Sequence, residues 1–157
     1  MRLNNSIKLV FWVVAFQLMG FLSGLLTQAN IDPWYQSLNK SSLTPPAPVF
    51  FIAWTLLYVM LAIVAWILSS QKQTSNSKTI IYLFALQMLM NWAWTPLFFQ
   101  FHWLKFSAVW LIALTILNFI LIIQAKARHK TITLLLIPYV IWLVFAAYLN
   151  ITIALMN

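Results

Sequence analysis

This sequence predicts an all-α fold, an integral membrane bundle of five transmembrane helices, and three observations carry that reading. The chain is 64% hydrophobic and only 6% charged over 157 residues, with a mean hydropathy of +0.91. A soluble domain is about one quarter charged, and with so few charges a fold of this size could not cover its own surface. Five apolar runs are each long enough to cross a hydrocarbon layer of about 30 Å at about 1.5 Å per residue. These runs are continuous rather than alternating, which argues against a strand barrel.

The runs cover roughly residues 7–27, 46–69, 79–101, 106–125 and 131–156, so 1–157 reads as a single membrane domain. Before the first, Arg2 and Lys8 give a basic flank, and Thr27-Gln28-Ala29 has the look of a weak cleavage site. The apolar stretch from Leu9 to Leu26 exceeds the roughly 7–15 residues of a signal-peptide core, so it reads as a retained span. Gly20 and Gly24 form a GxxxG in it, a spacing that permits close backbone approach to a second copy or to a neighbouring helix. Residues 28–45 form the one long connection, a polar stretch with Trp34, Tyr35, Lys40, Pro45 and Pro46. It reads either as a stiff lid over an outer mouth or as an interfacial loop anchored by its aromatics.

Polar and aromatic residues recur at helical spacing within the later runs. Trp54 and Tyr58 in the second share a face, being one turn apart. Gln87, Asn91 and Trp94 do so in the third, and Trp142, Ala146 and Asn150 in the fifth. Two physical readings stay open for these faces. They line one central pocket, where indoles stack on a flat apolar ligand and amides orient it, or they are cross-helix hydrogen bonds with tryptophan filling space. Pro96 and Pro138 either kink the third and fifth helices or, at Pro138, mark where the membrane segment begins.

Charge sets the expected topology. Arg2, Lys8, Lys72, Lys78, Lys126, Arg128 and Lys130, seven of the nine basic residues, alternate onto one side; Lys40 and Lys105 fall on the other with the single acid, Asp32. The positive-inside rule then places the N-terminus inside, and the long loop and C-terminus outside. The net charge of +8 fits anionic headgroups better than nucleic acid when the basic residues sit between membrane spans.

Conventional catalysis finds few materials here. Cysteine is absent, which excludes disulfides and thiolate chemistry. His102 and His129 fall in loops on opposite sides, so no metal site is expected. No carboxylate lies within a span, as a proton-coupled pump would need.

Taken together, Trp34-Tyr35, Leu38, Lys40, Thr44-Pro45-Pro46, Val49-Phe50, Trp54, Leu57-Tyr58, the Gln87/Asn91/Trp94/Phe98/Phe99 pattern and Pro138-Tyr139, Trp142, Phe145-Ala146, Leu149-Asn150 resemble the tryptophan-rich sensory protein/translocator protein (TspO/MBR) family. The resemblance implies a five-helix bundle, commonly a homodimer, with a cavity under the first loop. It implies porphyrin or other flat lipophilic ligands, no cofactor beyond that ligand, and a role in tetrapyrrole sensing, carriage or transport. Sterol translocation and light-dependent porphyrin breakdown are the alternatives, with Trp54 and Trp142 as the critical pair in the photochemical case. By the same matching, Trp34, Tyr35, Trp54, Tyr58, Asn91, Trp94, Trp142 and Ala146 would hold the ligand. Lys40, Pro45 and Pro46 would belong to the lid, with Lys40 the nearest cation to porphyrin propionates. A bacterial cell membrane is the expected location.

Three departures qualify the resemblance. Lys40-Ser41-Ser42-Leu43-Thr44-Pro45-Pro46 lacks a proline and a tryptophan common in the family loop, which predicts a looser lid. An acidic residue common in the fourth span is replaced around Val109–Trp110. Ile151–Asn157 lacks the tyrosine and arginine of the cholesterol-recognition segment, which weakens a sterol role.

Overall fold

In the computed structural model, which describes residues 4–70, 75–126 and 129–157, five long helices account for all five expected spans. They are α1 (Asn5–Gln28), α2 (Ala47–Ser70), α3 (Ser75–Thr95), α4 (Leu104–Lys126) and α5 (Lys130–Met156). Each is apolar around most of its circumference, with Val10, Phe51, Leu89, Ile123 and Ile141 among the large side chains facing outward. That is the pattern of a helix whose surroundings are lipid. Arg2, Lys72 and Arg128 of the charge reading lie outside the described residues.

Packing runs α1–α2–α5–α4–α3 around a ring, closed by a smaller α1–α3 contact. Neighbouring helices in this order run antiparallel where hydrogen bonds fix them. Trp66 Nε1, late in α2, donates to the Asn5 carbonyl at the start of α1 (3.1 Å), and Asn150 Nδ2, late in α5, to the Leu104 carbonyl at the start of α4 (3.2 Å). The loop after α1 therefore sits at the same end of the bundle as the close of α5, where Asn39 and Asn157 meet.

Pro96 ends regular α3. A proline inside a helix has no N–H to donate and crowds the carbonyl one turn back. The chain responds with a wider helical turn over Pro96–Gln100, closed by Phe101 N donating to the Pro96 carbonyl at 2.9 Å. The turn swings Phe98 and Phe99 inward, where both are buried. Pro138, by contrast, lies within a continuous α5 and does not mark its start.

The two halves of the bundle differ. The half holding the end of α2 and the start of α5 is filled by Leu61, Val64, Leu121, Ile132 and Leu136, all fully buried. In the half nearest the first loop, aromatic side chains stand around open space. Lipid removes the hydrophobic drive between helices, so close van der Waals fit and cross-helix hydrogen bonds must hold this arrangement.

The GxxxG of α1 serves that fit within one chain. A Cβ at Gly20 would lie 2.7 Å from Tyr58 Cδ2, whereas one at Gly24 would meet nothing within 4 Å. Gly20 is thus the seat of the Tyr58 ring. Gly20→Ala is expected to cost about 1–3 kcal/mol, the usual range for overpacking, seen as a lower unfolding midpoint in detergent. Gly24→Ala should leave that midpoint in place.

Candidate functional site

The open half of the bundle contains a cavity of about 970 Å³, at the upper end of small-molecule sites. Its walls come from α1, the first loop, α2, the end of α3, α4 and α5. Trp54 and Trp142 face each other edge to face across α2 and α5, with centroids 6.4 Å apart at 86°. Trp54 also leans on Tyr58 at 5.6 Å, and Phe50 meets Trp142 at 5.8 Å and 77°. Trp94 stacks on Phe98 at 5.3 Å, close to parallel at 21°. The result is a set of rigid apolar surfaces in two roughly perpendicular orientations.

A chain of hydrogen bonds forms the floor. Tyr58 Oη donates to Asn91 Oδ1 (2.8 Å), Asn91 Nδ2 to Tyr139 Oη (2.9 Å), and Tyr139 Oη to Gln87 Oε1 (3.0 Å). Asn118 Nδ2 extends it to Gln87 Oε1 at 3.4 Å and to the Leu114 carbonyl at 2.9 Å. The chain joins α2, α3, α4 and α5 near their midpoints. A buried polar group without a partner is costly in hydrocarbon, so each cross-helix link holds two helices in register, while the Asn118–Leu114 bond stays within α4. Farther out, Trp94 Nε1 donates to Asn150 Oδ1 at 2.9 Å, tying α3 to α5.

Both open readings of the polar faces therefore find a place, on different atoms. The amides of Asn91 and Asn150 and the Gln87 amide oxygen are committed to cross-helix bonds, while the rings of Trp54, Trp94 and Trp142 line the cavity. Tyr35, Tyr58, Asn91 and Ala146 line it too; Gln87, in the same hydrogen-bond chain as Asn91, does not and is fully buried. Trp34 is placed elsewhere: its ring stacks on His102 at 3.8 Å and 16° and meets Phe98 and Phe99 edge-on, fixing the loop to the α3–α4 connection. In the lid, Lys40 and Pro45 line the cavity and Pro46 does not.

The loop is well tethered despite its missing proline and tryptophan. Lys40 Nζ donates to the carbonyls of Tyr35 (2.8 Å), Gln36 (3.2 Å) and Leu38 (2.8 Å) and sits 4.9 Å from the Tyr35 ring centroid. Those bonds use all three N–H groups of an ammonium. Lys40 is therefore a clamp on its own loop, with no N–H left free for an incoming anion. Asn39 and Asn157 pair reciprocally, Asn39 N to Asn157 Oδ1 and Asn157 Nδ2 to the Asn39 carbonyl, both at 3.0 Å. Ser41 Oγ and Tyr148 Oη lie 2.9 Å apart. Burial pushes the Tyr35 phenol above its ordinary value of 10.0, so this part of the wall keeps a neutral hydroxyl at physiological pH.

Several residues of the cavity wall and of the hydrogen-bonded floor escaped the sequence reading. Gln17 and Asn118 are lone amides in apolar spans, so the rule that selects Gln87 and Asn91 would have selected them. Gln17 Nε2 donates to the Thr55 carbonyl at 3.0 Å across α1 and α2. Phe50 and Ser23 carry no such signal. Trp110, where the fourth span lacks its common acidic residue, donates Nε1 to the Met90 carbonyl at 2.9 Å.

Comparison with known proteins places these features in context. A family model described as the TspO/MBR family matches residues 12–156. The chain is 34% identical over 153 residues to the tryptophan-rich protein TspO of Archaeoglobus fulgidus, covering 98% of this chain and 99% of that protein. It is 30% identical over 150 residues to the translocator protein of Bos taurus, covering 88% and 87%. It is 32% identical over 122 residues to a tryptophan-rich sensory protein of Cereibacter sphaeroides, covering 76% and 73%.

The hydrogen-bonded floor makes a stability prediction separate from ligand binding. Tyr139→Phe removes a hydroxyl that both accepts from Asn91 and donates to Gln87. It is expected to cost about 1–2 kcal/mol, given what cross-helix bonds in membranes contribute. Thermal unfolding in detergent would measure this.

Proposed function

This chain belongs to the TspO/MBR family, and we propose that it binds porphyrins or related tetrapyrroles in the tryptophan-lined cavity, serving their sensing, carriage or transport. The observation that carries this reading is the perpendicular Trp54–Trp142 pair on the wall of a cavity of about 970 Å³. A flat macrocycle laid against one indole face presents its edge to the other ring, the geometry aromatic quadrupoles favour. Trp142 Nε1 and Thr44 Oγ1 belong to lining residues and have no hydrogen-bond partner among the described residues. Both atoms are buried, so a bound molecule would meet them only after the neighbouring side chains shift. Porphyrin propionates turned toward the loop would feel the Lys40 charge, and a direct bond to it would require Lys40 to release a carbonyl. A homodimer in a bacterial cell membrane, with the first loop outside, completes the proposal.

Light-dependent breakdown of the porphyrin is the second reading, and the same two indoles favour it. They are the groups placed to quench the excited macrocycle or pass it an electron. Sterol translocation has less support, given the sequence of the last helical turns.

Titration of the detergent-purified protein with protoporphyrin IX, first in the dark and then under light, separates these roles. Saturable quenching of tryptophan emission in the dark is expected, weakened about tenfold by Trp54→Phe or Trp142→Phe, the effect of losing roughly 1.4 kcal/mol of stacking. Light-driven loss of the porphyrin band that disappears in both variants would add the photochemical activity; binding with a stable band would leave a sensor or carrier. An absence of saturable binding would sink the tetrapyrrole reading.

A further inference from the structure

Phe21 and Leu25 of α1 and Phe51 of α2 line the cavity and are still 62%, 52% and 74% exposed. Lining side chains with this much open surface stand at a mouth of the cavity rather than deep in its wall. Gly24 lies beside Phe21 and Leu25, is itself exposed and lines the cavity, and a Cβ there would meet nothing within 4 Å. The wall between α1 and α2 is therefore thin or absent along this stretch.

The position of the opening decides what lies outside it. Its lower sill is the Gln17–Thr55 hydrogen bond. From there to Gln28, the end of α1, the helix rises about 16 Å, the outer half of a bilayer's hydrocarbon layer. Phe21, Leu25 and Phe51 are all apolar, as a frame facing acyl chains would be. The end toward water is strapped instead, by the Lys40 clamp, the Asn39–Asn157 pair and the Ser41–Tyr148 contact.

We propose that the slot between α1 and α2 is a lateral doorway, through which a ligand dissolved in the bilayer passes directly from acyl chains to the cavity while the loop stays latched. This rests on the cavity being a ligand site and adds the class of ligand that reaches it. The class is a flat lipophile that partitions into hydrocarbon and carries little or no charge at the moment of entry. Neither the frame of the slot nor its sill offers a charged group, so an ionised substrate would find no compensation on the way.

The test is kinetic, in lipid nanodiscs, with protoporphyrin IX dimethyl ester as a neutral flat probe and stopped-flow tryptophan quenching as the signal. Gly24→Phe, which fills the slot, is expected to slow association and dissociation together by about tenfold; the two rates are the readout, since Gly24 also lines the cavity. Phe51→Ala, which widens it, should speed both. Retained unfolding midpoints would show that the fold is intact. Association unchanged by Gly24→Phe but accelerated by Asn157→Ala, which cuts the latch, would overturn the doorway in favour of entry past the loop. Saturable probe binding at unaltered rates in the Gly24 and Phe51 variants also sinks the doorway and leaves the ligand site standing. If the unaltered protein does not bind the ester at all, the doorway and the ligand site fall together.

Discussion

In hydrocarbon a buried hydrogen-bonding group must find its partner inside the protein, and the rest of this structure depends on how that demand is met near the middle of the bundle. Tyr58, Asn91, Tyr139, Gln87 and Asn118 join in an unbroken chain across four helices, in which Gln87 Nε2 and Asn118 Oδ1 are the two atoms left without a partner among the described residues. Each bond contributes only about 0.6 kcal/mol on average by analogy with other membrane bundles. Their effect is positional: a helix cannot slide or rotate by one residue without stranding an amide or a phenol. Because α2, α3, α4 and α5 are pinned at this level, the halves on either side can pack differently. One closes on aliphatic side chains, and the other stands open with aromatic walls.

The character of the cavity follows from where the polar groups are spent. Asn91 and Asn150 are occupied by tyrosine and tryptophan, and Lys40 by three carbonyls of its own loop. What faces the open space is mainly ring surface. Recognition therefore rests on shape and dispersion.

The spans were legible because composition and run length follow directly from the thickness of a bilayer, and their ends differ from expectation by only a few residues. The convergence of Trp54, Asn91, Trp94, Trp142 and Ala146 on one cavity was legible from helical spacing together with the family pattern. Spacing could not tell which atoms would be consumed by the protein itself. Gln87 and Asn91 share a helix face, yet one is sealed from the cavity and the other lines it, a distinction set by the partner helices. Trp34 sits next to Tyr35, but the backbone break at Asp32 (φ −104°, ψ 132°) and the following turn direct it to His102 instead of the cavity. Lys40 looked like a counter-ion because a sequence shows its charge and not the three carbonyls folded back around it.

The division into a filled half and a hollow half has a mechanical side. Close-packed interiors are nearly incompressible, so the filled half keeps its cross-section whatever the lateral pressure of the leaflet around it. The hollow half has room to give. A change in acyl-chain order confined to that one leaflet would squeeze or relax the aromatic walls while the other end of the bundle holds still. The protein is thus built to feel the two leaflets unequally.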